Sequence, residues 1–347
     1  MTNDRLIAIF RCGIAAASMS AAVAFAAAPP AAPAATNPDP AGYQHLVDAA
    51  RAVVSVKVTA LANARSNATL GQERTGSGVL FGPQNLVLTI GYLILEADSV
   101  EISTSRGRTV PAIVAAYDHA TGFGLLRPLA PLDAKPIELG SSARVDALDR
   151  LLVASGASED ALSVATVVAR REFAGYWEYL IENAIFTSPP RADFGGAALI
   201  NKEGELVGIG SLFVMDAGTP GERSPGNMFV PIDLLKPILR EMIDTGRQKG
   251  GARPWLGINS RELEGRLHVM RVSSDSPAEK AGIAAGDIIL QVSGRSVESL
   301  PEFYRRLWGA GAPGVEVTLK VLKGTDVQDV KIRTIDRFDV IRKKPSI

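Results

Sequence analysis

Ser276-Pro277-Ala278-Glu279-Lys280-Ala281-Gly282-Ile283-Ala284-Ala285-Gly286-Asp287-Ile288-Ile289 sets how the C-terminal part of this 347-residue chain folds. A serine directly before a proline reads as a helix start: the hydroxyl accepts an orphan N–H, and proline fits a first turn whose N–H lacks a partner anyway. Gly286 suits a turn, and Asp287 to Val292 then reads as a strand. Upstream, Trp255 to Asn259 and His268 to Val272 read as strands. Downstream come a helix from Pro301 to Trp308 and two strands, Val315 to Leu322 and Asp329 to Thr334. That length and mixture predict a small α+β sandwich of about five strands over 254–337.

The residues before it have a different texture. Short apolar runs at Val53 to Val58, Gly78 to Phe81, Leu86 to Leu88, Val100 to Ile102 and Ala112 to Ala115 are separated by Gly, Pro, Asn and Asp. The pattern continues at Leu151 to Ala154, Ser163 to Ala169, Ala197 to Ile200 and Leu206 to Ser211. Many short strands punctuated in this way predict an all-β barrel or sandwich over 43–246. Pro231 opens an expected closing helix that reaches about Thr245, and Gly246 to Arg253 reads as a hinge. The whole is therefore expected to be mostly β.

Composition sets the outer bounds. The chain has 46% hydrophobic residues, enough for real cores, and 33 Gly with 21 Pro, which favours turns. Lys+Arg and Asp+Glu balance to a formal net charge of zero, so no electrostatic footprint points to nucleic acid. Arg5 and Arg11 precede an apolar stretch, and Ala24-Phe25-Ala26 offers a small-x-small cleavage site, so residues 1–26 read as a signal peptide. The apolar stretch is shorter than the roughly 20 residues of a spanning helix, so no stable membrane span is expected after cleavage. A periplasmic or secreted location follows. Residues 27–42 form an Ala/Pro-rich linker, and 338–347 a basic tail expected to be loose. Cys12, the single cysteine, lies in the signal segment, so a cleaved chain has neither disulfide nor thiol nucleophile. The three histidines, His45, His119 and His268, are scattered without paired carboxylates, so no metal site is expected, and no cofactor.

Arg191-Ala192-Asp193-Phe194-Gly195-Gly196-Ala197-Ala198 resembles the nucleophile loop G-(D/N)-S-G-G-P-L of trypsin-like serine proteases, with Phe194 in the place of the serine. Thr75-Gly76-Ser77-Gly78-Val79-Leu80-Phe81 resembles the G-S-G strand of the HtrA family. Val87-Leu88-Thr89-Ile90-Gly91-Tyr92-Leu93-Ile94 stands where that family has I-L-T-N-x-H-V-V, which puts Tyr92 at the general base. Asp118-His119-Ala120-Thr121-Gly122-Phe123-Gly124-Leu125-Leu126 stands where it has D-x-x-x-D-L-A-V-L, which puts Gly122 at the orienting aspartate. The Ser276–Ile289 stretch is similar to the family's S-P-A-x-x-A-G-(L/I)-x-x-G-D-x-I. The chain is thus identified as resembling an HtrA protein: a trypsin-like double β-barrel followed by one PDZ domain.

The resemblance implies a serine endopeptidase fold whose three triad positions are substituted, a pseudoprotease. A phenyl ring carries no nucleophile, and a tyrosine with its pKa near 10 accepts a proton poorly at neutral pH. Ala192 replaces the loop's first glycine, which also puts the oxyanion hole in question. The competing expectation is an active HtrA-type endopeptidase with an unorthodox site, for example His119 with Ser188 or Ser77. His119 lies three residues from the matching position, so its ring is expected to face solvent.

In the C-terminal unit, Trp255-Leu256-Gly257-Ile258 resembles the X-Φ-G-Φ loop whose successive N–H groups bind a terminal carboxylate in PDZ domains. Phe303, or Tyr304, and Leu307 on the following helix are expected to wall an apolar groove. Expected partners are C-terminal or extended peptide segments of other proteins, and the resemblance implies a homo- or hetero-trimer. A second alternative is a structural subunit whose groove is closed by its own chain. Tyr176-Trp177-Glu178-Tyr179 falls between barrel strands, as a partner contact or a buried aromatic cluster.

Overall fold

The computed structural model describes residues 40–156, 161–248 and 250–342. The signal peptide and most of the linker expected from the sequence lie outside the described residues. A helix α1 (Pro40–Ala50), which the strand-like texture after Tyr43 did not announce, precedes the first strand.

The first barrel comprises β1 (Val53–Ala60), a short helix α2 (Asn67–Leu70), β2 (Glu73–Phe81), β3 (Leu86–Ile90), α3 (Gly91–Ile94), β4 (Ala97–Ser103), β5 (Thr109–Tyr117) and β6 (Phe123–Pro128). Its strands close in the order β1-β2-β3-β6-β5-β4. The second comprises β7 (Arg150–Ala154), β8 (Leu162–Gly175), β9 (Tyr179–Ser188), β10 (Ala198–Ile200), β11 (Leu206–Val214) and β12 (Gly226–Pro231), closed as β10-β11-β12-β9-β8-β7. Closure removes the free edges that short β-branched strands would otherwise expose. One apolar core, with Val56, Leu88 and Leu125 from one barrel and Phe186, Ile209 and Met228 from the other, joins the two.

The closing helix differs from expectation. Residues Ile232–Leu234 form a single 3-10 turn, and α4 (Leu239–Thr245) begins only at Leu239. Pro237 explains the delay: it has no N–H to donate, and it disfavours helical geometry at Lys236.

The C-terminal unit runs through β13 (Pro254–Trp255), β14 (Ile258–Leu263), β15 (Arg266–Val272), α5 (Pro277–Lys280), β16 (Ile288–Val292), β17 (Arg295–Ser296), α6 (Leu300–Trp308), β18 (Glu316–Lys323), β19 (Asp326–Arg333) and β20 (Ile335–Asp336). Its main sheet has the order β14-β15-β16-β18-β19, which leaves one edge of β14 without a sheet partner among the described residues. Both helices start as their sequences dictate. Ser276 Oγ accepts from Glu279 N–H, Ser299 Oγ accepts from Glu302 N–H, and a proline sits in each first turn.

The C-terminal stretch corrects the expectation of a loose tail. Phe338 packs against Tyr117 and His119 of the first barrel, and Arg342 N–H donates to the Glu96 carboxylate at 3.0 Å. Apolar contact and a charge-assisted hydrogen bond hold residues 338–342 to the barrel; 343–347 lie outside the described residues.

Candidate functional site

The three positions compared above with a protease triad converge where the barrels meet. Tyr92 lies in α3, Gly122 in the β5–β6 turn and Phe194 in the β9–β10 loop. Gly91 N–H donates to Gly122 O at 2.7 Å, and the Tyr92 hydroxyl lies against Gly195. The helix α3 is held by Arg74, whose guanidinium donates to Tyr92 O and Leu95 O.

Tyr92 Oη donates to Ser211 O at 3.1 Å. Burial pushes this phenol well above its ordinary value, so the ring presents a neutral donor whose hydrogen is already committed. Gly122 has φ +80°, and a Cβ there would stand 3.0 Å from the Tyr179 hydroxyl. That hydroxyl donates to Thr121 O at 2.7 Å, so the space beside residue 122 is filled by Tyr179. The loop carrying Phe194 is pinned at both sides. The Arg191 guanidinium makes paired bonds to the Asp193 carboxylate at 2.8 and 2.6 Å. Ser77 N–H donates to Gly195 O and Ala197 N–H to Phe194 O. Ala192 is exposed, and its φ is outside the left-handed region.

The other candidate serines and His119 do not come together. Ser77 Oγ is bonded to Ser155 Oγ at 3.0 Å and accepts from Gly156 N–H, while Ser188 Oγ donates to Pro225 O. His119 does not face solvent as expected. Its ring lies edge-on between Tyr117 and Phe338, each 4.4 Å away, and neither nitrogen has a hydrogen-bond partner among the described residues. Burial, with the nearby charges of Arg337 and Arg247, lowers its basicity well below the usual value. The tail segment, invisible to a local motif, is what covers it.

The second assembly lies at the start of the C-terminal unit. Leu256, Gly257 and Ile258 point their N–H groups at one carboxylate, that of Glu178 in the β8–β9 turn. Gly257 N–H and Ile258 N–H reach Oε1 at 2.7 and 2.9 Å, and Leu256 N–H reaches Oε2 at 3.1 Å. Gly257 is required: its φ is +85°, and a Cβ would fall 2.3 Å from Ser276 Cβ. Trp255 pairs with Ile335 instead, and its side chain packs against Gly257. Phe303 and Leu307 are fully buried in the core of the C-terminal unit. Their neighbour Tyr304 is the α6 residue that meets the turn: its hydroxyl donates to Gly175 O at 2.6 Å and accepts from Glu178 N–H at 3.2 Å. Glu178 is 7% exposed, and burial pushes its carboxyl up to about 7, against the opposing effects of the three N–H groups and Arg337.

Among the described residues, no cluster of His, Cys, Asp or Glu could hold a metal ion, and no helix is long and apolar enough to cross a membrane.

Comparison with known proteins agrees with this architecture. Residues 76–209 match the trypsin-like peptidase domain and residues 254–334 the PDZ domain. The serine endoprotease DegS of Haemophilus influenzae is 27% identical over 309 residues, spanning 84% of this chain and 86% of the relative. The periplasmic pH-dependent serine endoprotease DegQ of Escherichia coli is 29% identical over 282 residues, 76% of this chain and 60% of that protein. A probable periplasmic DegP-like serine endoprotease of Hahella chejuensis is 26% identical over 75% of this chain, which spans only 56% of that relative's length. The fold is shared with the crystal structure of the serine endoprotease from Yersinia pestis, with a TM-score of 0.51 and 23% identity over 85% of this chain and 97% of that one. With a trypsin-like peptidase domain followed by a PDZ domain, and with relatives of the DegS and DegQ type, this chain has the domain order and the likeness of an HtrA-type protein.

Proposed function

We propose that this protein is a catalytically inactive HtrA-family member of the cell envelope, periplasmic or secreted, that binds C-terminal or extended peptide segments through its PDZ domain. Acting as a chaperone, a scaffold or a regulator of an active relative in a homo- or hetero-trimer would follow from that binding. The observation that carries the inactive reading is Tyr92: a buried phenol, donating to Ser211 O, stands beside a loop that offers Phe194 where a hydroxyl is needed. Acyl transfer by a serine needs a nucleophile and a base within hydrogen-bond reach of one another. Tyr92 and Phe194 offer neither. Filling of the space at Gly122 by Tyr179 supports the same reading.

Peptide binding is supported by the three N–H groups of Leu256, Gly257 and Ile258, which already hold a carboxylate, and by the edge of β14 that no strand of the sheet pairs with. The test of inactivity is cleavage of casein and of an unfolded protein by the purified mature chain. No cleavage is expected, either from the natural sequence or from Phe194→Ser. Turnover that survives removal of contaminating proteases would restore the endopeptidase reading, which the names of the relatives favour.

A further inference from the structure

The PDZ edge expected to take a peptide carries a piece of the barrel. The β8–β9 hairpin reaches out of the second barrel, and its turn, Tyr176-Trp177-Glu178, lies along β14. Ser260 N–H donates to Tyr176 O at 3.1 Å, and Ile258 N–H donates to Glu178 Oε1 at 2.9 Å. Residues 258 and 260 are two apart, so both N–H groups lie on the same edge of the strand. The other edge of β14 is paired with β15, Ile258 opposite Val272 and Ser260 opposite Val269. One edge bond and three carboxylate bonds are the contacts that an added peptide strand with a terminal carboxylate would make.

Three further features tie the hairpin down. Tyr304 of α6 brackets the turn through Gly175 O and Glu178 N–H. Leu180, at 7% exposure, packs into the PDZ core cluster with Phe303 and Leu307. Glu172 and Arg305 form an ion pair. Glu178 itself is held at φ +59°, a conformation a non-glycine residue keeps only when its surroundings impose it.

We propose that the β8–β9 hairpin is an internal ligand of the PDZ domain, with the Glu178 side-chain carboxylate standing in for the terminal carboxylate of a bound protein C-terminus. A peptide with a free C-terminal carboxylate therefore enters only by displacing Glu178, and its apparent affinity is reduced by the fraction of molecules in which the hairpin is docked. By reciprocity, peptide binding releases the hairpin that reaches back to Tyr179 and the barrel cleft. This inference rests on the peptide-binding reading for its ligand class, but the docked hairpin can be tested apart from it.

The experiment compares the full mature chain with Glu178→Ala and with Tyr304→Phe, which loosens the turn without touching the N–H loop. Amide hydrogen exchange is followed at residues 256–260. Binding is measured with a labelled peptide copying residues 173–177, whose free C-terminus is its single carboxylate, against its C-terminal amide, which has none. Both variants are expected to exchange at least about tenfold faster at 256–260 while the rest of the PDZ sheet stays protected. Glu178→Ala is expected to bind the acid peptide at least about tenfold more tightly than the natural chain, and the amide poorly. Faster exchange without peptide binding would support the internal ligand and overturn the peptide-binding reading. Equal exchange in all three proteins, with the acid peptide binding the natural chain as tightly as Glu178→Ala, would overturn the internal ligand and leave peptide binding intact.

Discussion

The barrel cleft and the PDZ loop are both filled by groups of this chain, in physically different ways. In the cleft the filling is by substitution: Tyr92, Gly122 and Phe194 are built into a double barrel whose apolar core runs through both halves. Tyr92 is committed to Ser211 O, and Tyr179 stands over residue 122, so no rotation of one side chain recreates a nucleophile and base. In the PDZ loop the N–H groups keep the arrangement that grips a carboxylate, and the group they grip belongs to a hairpin held by hydrogen bonds, the packing of Leu180 and the Glu172–Arg305 ion pair. On the proposed reading, a site lost by chemistry is permanent, whereas a site occupied by a segment is in equilibrium. That reading leaves function available at the PDZ loop rather than in the cleft.

The strongest consequence of this contrast is an absence. Tyr92→His, Gly122→Asp and Phe194→Ser combined are expected to leave casein cleavage undetectable. The Cβ that the aspartate brings to position 122 would meet the Tyr179 hydroxyl, and the backbone there is left-handed. Measurable turnover from the triple variant would show that the cleft is closer to competence than its packing implies.

Next comes Gly257→Ala, which introduces a Cβ 2.3 Å from Ser276 Cβ at φ +85°. A loss of about 2–3 kcal/mol is expected from the strain, read as a lowered PDZ unfolding midpoint in denaturant. Any bulkier residue, glutamate included, would disturb the fold along with the loop and so cannot report on binding alone. A smaller loss, about 1 kcal/mol, is expected for Ser276→Ala, which removes the acceptor for Glu279 N–H at the start of α5.

The mildest effect separates the two sites through pH. Docked Glu178 titrates near 7, whereas a free glutamate titrates at about 4.3, so the docked hairpin takes up a proton on binding between those values. Docking is then strongest below the free value and weakens as pH rises through 7. The charged or titratable groups around it are Asp336 in β20 and Arg337 after it, Tyr304 on α6, Asp118 and His119 in the β5–β6 turn, and Arg253 before β13. Burial holds the Tyr304 phenol above its ordinary value and the His119 imidazole well below its own, so Glu178 is the group expected to change charge near neutrality. Apparent affinity for the acid peptide is expected to rise on the order of tenfold from pH 5.5 to pH 8 in the natural chain and to stay flat in Glu178→Ala.

Local chemistry made much of this molecule legible in its sequence. Ser276-Pro277 and Ser299 with Pro301 announce their helices because capping needs only neighbouring residues. The N–H loop at Gly257 came instead from the resemblance of Trp255 to Ile258 to the X-Φ-G-Φ motif. Strands β6, β9 and β12 were not marked as strands, since their apolar residues run on without a clean alternation, as buried strands of a closed barrel do. What could not be read were meetings across the chain. Glu178 is 79 residues from Gly257, and nothing local separates it from a solvated surface carboxylate, though a charge inside Tyr-Trp-Glu-Tyr is an unusual neighbour for three rings. His119 was expected in solvent because the segment that covers it, around Phe338, comes more than two hundred residues later. Phe303 and Tyr304 stand as alternatives for the groove wall, since nothing in the neighbouring sequence separates them. The phenol, which must find partners when buried, was the better guide.

Whether the barrel has given up catalysis is settled by fluorophosphonate labelling of the intact mature chain followed by mass measurement. The probe phosphonylates a serine made nucleophilic by a neighbouring base. An unchanged mass, in a sample whose PDZ amides at 256–260 are protected, is the predicted result. A stoichiometric adduct on any serine near the cleft, Ser77, Ser188 or Ser211, would overturn the inactive reading and place an active nucleophile where the structure offers none.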